Sequence, residues 1–169
     1  MRVLVVFESI WGNTRTLAEA MARALEGTCT VSLVDSDTAP VRVEGYDLVI
    51  VGGPTHAFSM SRLSTREGAI SRGASSGGRE VGLREWVGAL PSGAHAGRLA
   101  TFDTRVASVR HLPGSAAKAA GRLARRHGYP LAGVESFYVD DVEGPLLEGE
   151  TVRATEWGRA LARAVVPAE

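Results

Sequence analysis

The chain of 169 residues contains a single cysteine, Cys29, and no long apolar run. One cysteine excludes a disulfide framework and any zinc site built from several thiolates. No stretch approaches the roughly 20 apolar residues that a membrane-spanning helix needs. The N-terminal residues turn polar after Phe7 and lack the pattern of a secretory leader. These absences predict a cytoplasmic protein without membrane insertion.

An excess of charge of either sign is also missing, since 19 basic residues balance 19 acidic ones. All but one of the bases are arginine, Asn13 is the only asparagine and there is no glutamine, a bias that a GC-rich coding genome explains by itself. Non-specific affinity for nucleic acids is mostly electrostatic, so the balanced charge predicts no nucleic-acid partner. The charges are nevertheless segregated: residues 104–134 contain no acid, and residues 135–156 contain no base except Arg153.

Apolar runs alternate with amphipathic segments along the chain. Strands are predicted at residues 2–7, 29–34, 47–51, 99–102 and 134–139, and helices at 14–25, 83–90, 115–127 and 150–165. The Val-rich runs lack a polar alternation, which indicates strands that are buried on both faces. The pattern and length therefore predict one α/β domain over residues 1–169, with a three-layer, doubly wound, parallel five-stranded sheet.

Residues 59–82 interrupt the alternation because they are rich in serine, glycine and arginine and poor in apolar residues. We expect a long loop insertion there, with or without a helical turn. Loops of this length in compact domains are usually functional or mobile.

The loop between the first strand and the first helix, residues 8–14, is the first candidate site. Ligands of open parallel sheets bind outside the carboxyl ends of the strands, and a helix N-terminus there offers unpaired N–H groups to a phosphate. Ser9, Asn13 and Thr14 can add side-chain hydrogen bonds, and Gly12 keeps the turn open. An alternative is that these side chains only cap the helix. Neither the dinucleotide fingerprint nor a Walker A loop is present.

Two further segments follow predicted strands, and all three together resemble a known family. Gly52-Gly53-Pro54-Thr55-His56 follows the third strand, and Thr101-Phe102-Asp103-Thr104-Arg105 overlaps the end of the fourth. With the Ser-x-x-Gly-Asn-Thr of the first loop, these segments resemble the flavin loops of flavodoxins and flavodoxin-like proteins. Residues 143–150 and the final helix are also similar to that family. The resemblance covers nearly the whole chain except residues 59–82.

The resemblance implies FMN as cofactor and assigns roles to residues of the three loops. The phosphate would be held by Ser9, Gly12, Asn13 and Thr14 together with the N–H groups of Ile10 and Trp11. One side of the isoalloxazine would be lined by Pro54, Thr55, His56, Ala57 and Phe58, and the other side, with the pyrimidine edge, by Asp103, Thr104 and Arg105.

The chain also departs from the family. Trp11 stands where flavodoxins have a hydroxyl residue, and the third loop offers no aromatic residue near Arg105 to stack on the ring. Family members carry a glycine in the second loop, which tolerates positive φ. The run from His56 to Ser59 has none, which predicts weak stabilisation of a neutral flavin semiquinone.

Three functional hypotheses remain open on the sequence. The first is an FMN-binding electron carrier that serves a redox partner protein or a small-molecule acceptor. The second is an enzyme of the same fold, an FMN-dependent NAD(P)H:quinone reductase. The third is a flavin-free binding module. The four histidines have no metal-ligand spacing, so no metal site is predicted, and no catalytic residue or oligomeric state is assigned.

Overall fold

The computed structural model describes residues 1–74 and 80–165. The strands are β1 (Arg2–Phe7), β2 (Thr30–Asp35), β3 (Leu48–His56), β4 (Ser59–Met60), β5 (Arg98–Val106), β6 (Leu131–Asp141) and β7 (Gly144–Leu146). The helices are α1 (Asn13–Leu25), α2 (Leu63–Ile70), α3 (Leu83–Gly88), α4 (Ala116–Arg126) and α5 (Glu150–Val165), with a short 3-10 turn at Ala107–Val109. None of the helices in these described ranges is long and apolar enough to cross a bilayer.

The sheet has the strand order β2-β1-β3-β5-β6-β7. The first five strands of that order pair in parallel, which confirms the predicted parallel sheet. Two short antiparallel strands extend it, β7 beside β6 and β4 beside β3. The sequence did not predict them because strands of two or three residues are too short to show a periodic pattern.

Both faces of the sheet are covered, as the apolar strand runs predicted. Along β1, Val3 and Val5 belong to a core with α1 and α5, and Leu4 and Val6 belong to a second core with α3 and α4. This division follows from the alternation of side chains along a strand. The result is the expected three-layer arrangement, in which the carboxyl ends of the parallel strands meet at one edge.

Strands β3 and β5 extend further than the sequence predicted, to His56 and Val106. The Gly-Gly-Pro segment suggested a loop, but Gly52 lies within β3 opposite the ring of Phe102. A Cβ at Gly52 would lie 2.3 Å from two carbons of that ring, so glycine is required here by packing. Pro54 lies beyond the last residue of β1 in register, so its missing N–H interrupts no bond to that strand.

The inserted segment is more ordered than the expected loop. It begins with β4, which forms a hairpin with β3, and continues with the two-turn helix α2. The hairpin turn consists of Ala57 and Phe58, whose φ angles are 46° and 63°. Both angles are positive, as a type I′ turn requires, although glycine and asparagine are the usual residues there. Residues 75–79 of the predicted insertion lie outside the described residues.

Candidate functional site

A narrow cleft of about 40 Å³ lies at the carboxyl edge of the sheet. We call it the carboxyl-edge cleft. Its lining includes most of the residues predicted from the sequence, namely Ile10, Trp11, Asn13, Thr14, Pro54, Thr55, His56, Thr104 and Arg105. Val106, Val139 and Val142 complete the lining and were not predicted. Because strands β1, β3 and β5 end at the same edge, their loops meet there.

The first loop ends in a helix start that exposes backbone donors. Gly12 has a φ of 92°, a left-handed conformation that favours glycine, and a Cβ there would meet no atom within 4 Å. The first backbone hydrogen bond of α1 runs from the Thr16 N–H to the Gly12 carbonyl at 3.0 Å. The N–H groups that precede it lie outside the helical ladder and at the positive end of the helix dipole.

The polar side chains predicted to hold a phosphate already have partners within the protein. Ser9 Oγ accepts a hydrogen bond from the Arg15 N–H at 3.2 Å, and Thr14 Oγ1 lies 2.9 Å from Thr104 Oγ1. Asn13 Nδ2 donates to the Glu143 carbonyl at 3.0 Å. Ser9 thus satisfies one N–H in the first turn of α1, and the other two side chains connect the loop to β5 and to the turn before β7.

Two donors at the cleft have no partner among the described residues. Trp11 Nε1 and Arg105 Nε are buried and make no hydrogen bond there. The guanidinium of Arg105 is held from its other side, since Nη2 donates to the carbonyls of Val109 and Leu112, each at 3.1 Å. A buried donor without a partner costs about 1–3 kcal/mol. Trp11 and Arg105 both line the carboxyl-edge cleft, and one of the two donors is cationic.

Asp103 does not line this cleft. Its side chain is fully buried, and Oδ2 accepts hydrogen bonds from the Thr55 hydroxyl at 2.9 Å and the Ala117 N–H at 2.8 Å. Thr55 Oγ1 in turn accepts the Ala116 N–H at 2.8 Å. The carboxylate thus satisfies one N-terminal amide of α4 directly and orients Thr55, which satisfies a second. Its other oxygen, Oδ1, is buried and has no partner among the described residues, so the contact with a flavin pyrimidine that the resemblance implies stays a prediction.

The second loop contributes one side chain with a perturbed pKa. Burial, together with the positive charges of Arg72 and Arg66, lowers the pKa of His56, so its imidazole is neutral at neutral pH. Ala57 and Phe58, at the hairpin turn, do not line the cleft, and Phe58 is 46% exposed. This part of the site therefore offers a neutral ring and an exposed aromatic side chain nearby.

A buried polar cluster beside the first loop was missed by the sequence analysis. Glu8 is fully buried, and it accepts hydrogen bonds from the Ser61 hydroxyl and, at 2.7 Å, from the Leu83 N–H. Arg66 of α2 donates to Ser61 Oγ at 2.9 Å and lies 3.1 Å from the Glu85 carboxylate. Burial raises the pKa of Glu8, and Arg66 opposes that rise. The available signal was a carboxylate placed directly after a doubly buried strand.

This cluster positions the inserted segment over the first loop. Ala69 and Ala74, at the end of α2 and just after it, pack with Ile10, and Trp11 lies against the same group. The insertion thus covers the apolar side of residues 10–11. No group of three acidic, histidine or cysteine side chains in residues 1–74 and 80–165 is placed to hold a metal ion.

Comparison with known proteins identifies the fold class. The chain is similar to the structure of a flavodoxin from the domain Archaea, with 18% identity over 98% of this chain and 99% of that one and a TM-score of 0.67. It is also similar to a flavodoxin of Streptococcus pneumoniae (13% identity, 96% and 99% covered, TM-score 0.64). A third similar structure is the two-electron reduced flavodoxin of Megasphaera elsdenii, with 18% identity over 95% of this chain and 98% of that one and a TM-score of 0.60. The chain therefore has a flavodoxin-like fold.

These likenesses establish the fold and not the cofactor. No protein-family model matches the chain, and no curated protein matches it in sequence. The functional assignment therefore depends on the residues of the carboxyl-edge cleft.

Proposed function

We propose that this protein binds FMN at the carboxyl-edge cleft and transfers electrons. The supporting observation is the pair of buried donors, Trp11 Nε1 and Arg105 Nε, that have no partner among the described residues. They lie with the start of α1 at the edge where α/β sheets bind their ligands. A phosphate would accept hydrogen bonds from both donors and from the free N–H groups of the loop.

The cleft fits one end of FMN. A cavity needs on the order of 10–15 Å³ to hold one water molecule. The carboxyl-edge cleft, at about 40 Å³, therefore has room for a chemical group the size of roughly three water molecules. That room suits a phosphate and not three fused rings. The isoalloxazine would lie outside the cleft, with Pro54, His56 and Val142 as the nearest lining residues and Phe58 close by in sequence.

In this assignment the protein supplies position and charge. Bound FMN would supply the electron-transfer chemistry. Arg105 would hold the phosphate with a guanidinium fixed by the Val109 and Leu112 carbonyls. The neutral imidazole of His56 would add no charge to the ring environment. Phe58 is exposed and does not cover the cleft, so the isoalloxazine would remain accessible to a redox partner protein or a small-molecule acceptor, as a carrier in the cytoplasm requires.

Flavin fluorescence tests the proposal directly. Titration of the purified protein into FMN is expected to quench the emission, and riboflavin, which lacks the phosphate, is expected to bind at least about tenfold more weakly. Inorganic phosphate should compete with FMN. A protein that leaves FMN fluorescence unchanged, or binds riboflavin equally well, contradicts the assignment.

A pair of tryptophan variants sharpens the test. Trp11→Phe removes one donor and keeps an aromatic ring, and it is expected to weaken FMN binding about tenfold, since a hydrogen bond to a charged group contributes about 1.5–3 kcal/mol. Trp157→Phe is the matched control because Trp157 packs against Phe102 and Phe137 in the core under α5. Equal affinities of the two variants would contradict the role of Trp11.

A flavin-free binding module is the second candidate. It is favoured by the small volume of the cleft and by Asp103, one oxygen of which is already held by Thr55 and the Ala117 amide. In that case inorganic phosphate would bind and FMN would not. The same titrations separate the two candidates, since phosphate binding measured by calorimetry without any flavin binding selects the second.

A further inference from the structure

A second and larger cleft, of about 680 Å³, lies at the opposite edge of the sheet. It is formed where β3 and β5 begin, by residues 43–47 and 94–98, with Tyr129 at its base. We call it the amino-edge cleft. The eight residue steps from Leu48 to His56 along β3 correspond to roughly 26 Å, so this cleft is separate from the carboxyl-edge cleft. Its volume is within the range of small-molecule sites, about 300–1,000 Å³.

One wall of the amino-edge cleft is aromatic and rigid. The His95 and Tyr129 rings are stacked, with centroids 3.6 Å apart and planes within 8°. His95 Nε2 lies 3.0 Å from the Pro91 carbonyl and 3.2 Å from the His127 carbonyl. Because both carbonyls can only accept, Nε2 carries the proton and the ring is fixed in place. Val43 and Val49, both buried in the same core as Tyr129, supply the adjacent apolar surface.

The polar groups on this wall are acceptors. In the neutral imidazole, a proton on Nε2 leaves Nδ1 as an acceptor, and Nδ1 has no partner within the described part of the chain. Glu44 and Asp47 are exposed carboxylates of the lining, and Asp47 Oδ2 accepts the Arg2 N–H at 2.6 Å. Burial and, secondly, the Glu44 carboxylate raise the pKa of Tyr129, and both residues line the cleft.

Arg98 belongs to the other half of the cleft. Arg98 shares the face of β5 that carries Ala100, on the side of α1 and α5, together with Met1 and Val165. Val43, Val49, Tyr46 and Tyr129 are on the side of α3 and α4. The Arg2 guanidinium lies over the Tyr46 ring, 5.0 Å from its centroid, so the aromatic half combines ring surface with two carboxylates and one arginine.

We propose that the aromatic half of the amino-edge cleft binds a planar aromatic molecule that carries a cationic or multiply donating nitrogen group, such as an amidinium or an amino-heterocycle. The ring would lie against His95, which is stacked on the buried Tyr129, and the nitrogen group would face Glu44 and Asp47. Cations are attracted to aromatic faces as well as to carboxylates, so both features select the same ligand class. The proposal does not depend on FMN binding.

Benzamidine and benzoate test this proposal because they share a ring and differ in the sign of their charge. We expect benzamidine to shift the backbone amide NMR signals of residues 43–47 and 94–98 in the full-length protein, and to bind at least about tenfold more tightly than benzoate. Glu44→Gln, an exposed change, should weaken benzamidine about three- to fivefold, while Glu26→Gln, an exposed acid at the end of α1, should not.

Three results would overturn the proposal. Amide shifts confined to other residues, equal binding of benzoate, or unchanged affinity in Glu44→Gln would each show that the acceptor-rich wall does not recognise an aromatic cation. A further measurement separates this site from the carboxyl-edge cleft. Saturating benzamidine should leave the FMN or phosphate affinity of the other cleft unchanged, and displacement of either ligand would place benzamidine in the wrong cleft.

Discussion

Replacing Gly52 with alanine tests the packing that extends β3 past the end of β1. The added Cβ would lie 2.3, 2.3 and 2.5 Å from Cε1, Cζ and Cδ1 of Phe102, whereas ordinary contacts are 3.4–4 Å. The ring must therefore move by more than about 1 Å. It is fully buried and meets Phe137 and Trp157 edge-on at centroid distances of 6.1 and 6.3 Å, so there is little free space.

The expected loss follows from two opposing effects. Overpacking a core costs about 1–3 kcal/mol, while replacing glycine in a strand recovers about 0.5–1 kcal/mol. Because the displaced Phe102 ring is confined on several sides, we place the overpacking cost near the upper end of its range. The free energy of unfolding should then fall by about 2 kcal/mol. For a chain of this length, that corresponds to a fall in Tm of roughly 4–8 °C.

Urea unfolding followed by the fluorescence of the buried Trp86 measures this loss. Gly68→Ala is the matched control, because a Cβ at Gly68 meets nothing within 4 Å and the residue is in the helix α2. It should raise the free energy of unfolding by up to about 1 kcal/mol. Adding Phe102→Leu to Gly52→Ala should cost less than the sum of the single changes. A Gly52→Ala variant as stable as the parent would refute the reasoning.

Three further changes test the residues around the carboxyl-edge cleft. Burial raises the pKa of the Glu8 carboxyl group above 4.5, so the folded state binds the carboxyl proton more tightly than the unfolded state does. The free energy of unfolding of the parent should therefore fall relative to that of Glu8→Gln as the pH rises from about 4.5 through the folded pKa. A pH-independent difference in urea unfolding would contradict this. Trp11→Phe removes a buried donor without a partner among the described residues, which should stabilise the fold, and also some packed ring surface, which should destabilise it. The two effects oppose each other, so the free energy of unfolding should stay within about 1 kcal/mol of the parent, and thermal unfolding checks it. Asp103→Asn should cost about 1–2 kcal/mol and speed hydrogen exchange at the Ala117 amide without changing FMN affinity; lower FMN affinity at unchanged stability would instead support the role implied by the resemblance.

The strands and the position of the site were predictable because they depend on local patterns. Doubly buried runs such as Leu48–Val51 identify a central parallel strand, and parallel strands place their following loops at one edge. The helix α2 was not predictable, because it depends on a long-range contact. Its sequence has little amphipathic pattern, and Arg66 contacts Ser61 and Glu85 only in the folded chain.

The turn between β3 and β4 could not be predicted from the sequence, for a different reason. The left-handed conformation of Ala57 and Phe58 is unfavourable for residues with a Cβ. No local preference favours it, so β3–β4 pairing and the contact of Phe58 with Gly114 must hold the turn. A Cβ at Gly114 would lie 2.6 Å from the Phe58 carbonyl oxygen, so the close approach there requires glycine.

Which donors remain available to a ligand could not be predicted from residue types. Ser9, Asn13 and Thr14 are the side chains that a phosphate loop would use, and all three have partners within the protein, although the Ser9 hydroxyl accepts there and keeps its own proton to donate. Trp11 and Arg105 retain the buried donors without a partner among the described residues, and one of them carries a charge. A neutral ring cannot compensate that charge, whereas a phosphate can. If FMN binds here, most of its affinity should therefore come from the phosphate end, and inorganic phosphate should displace it more effectively than riboflavin does.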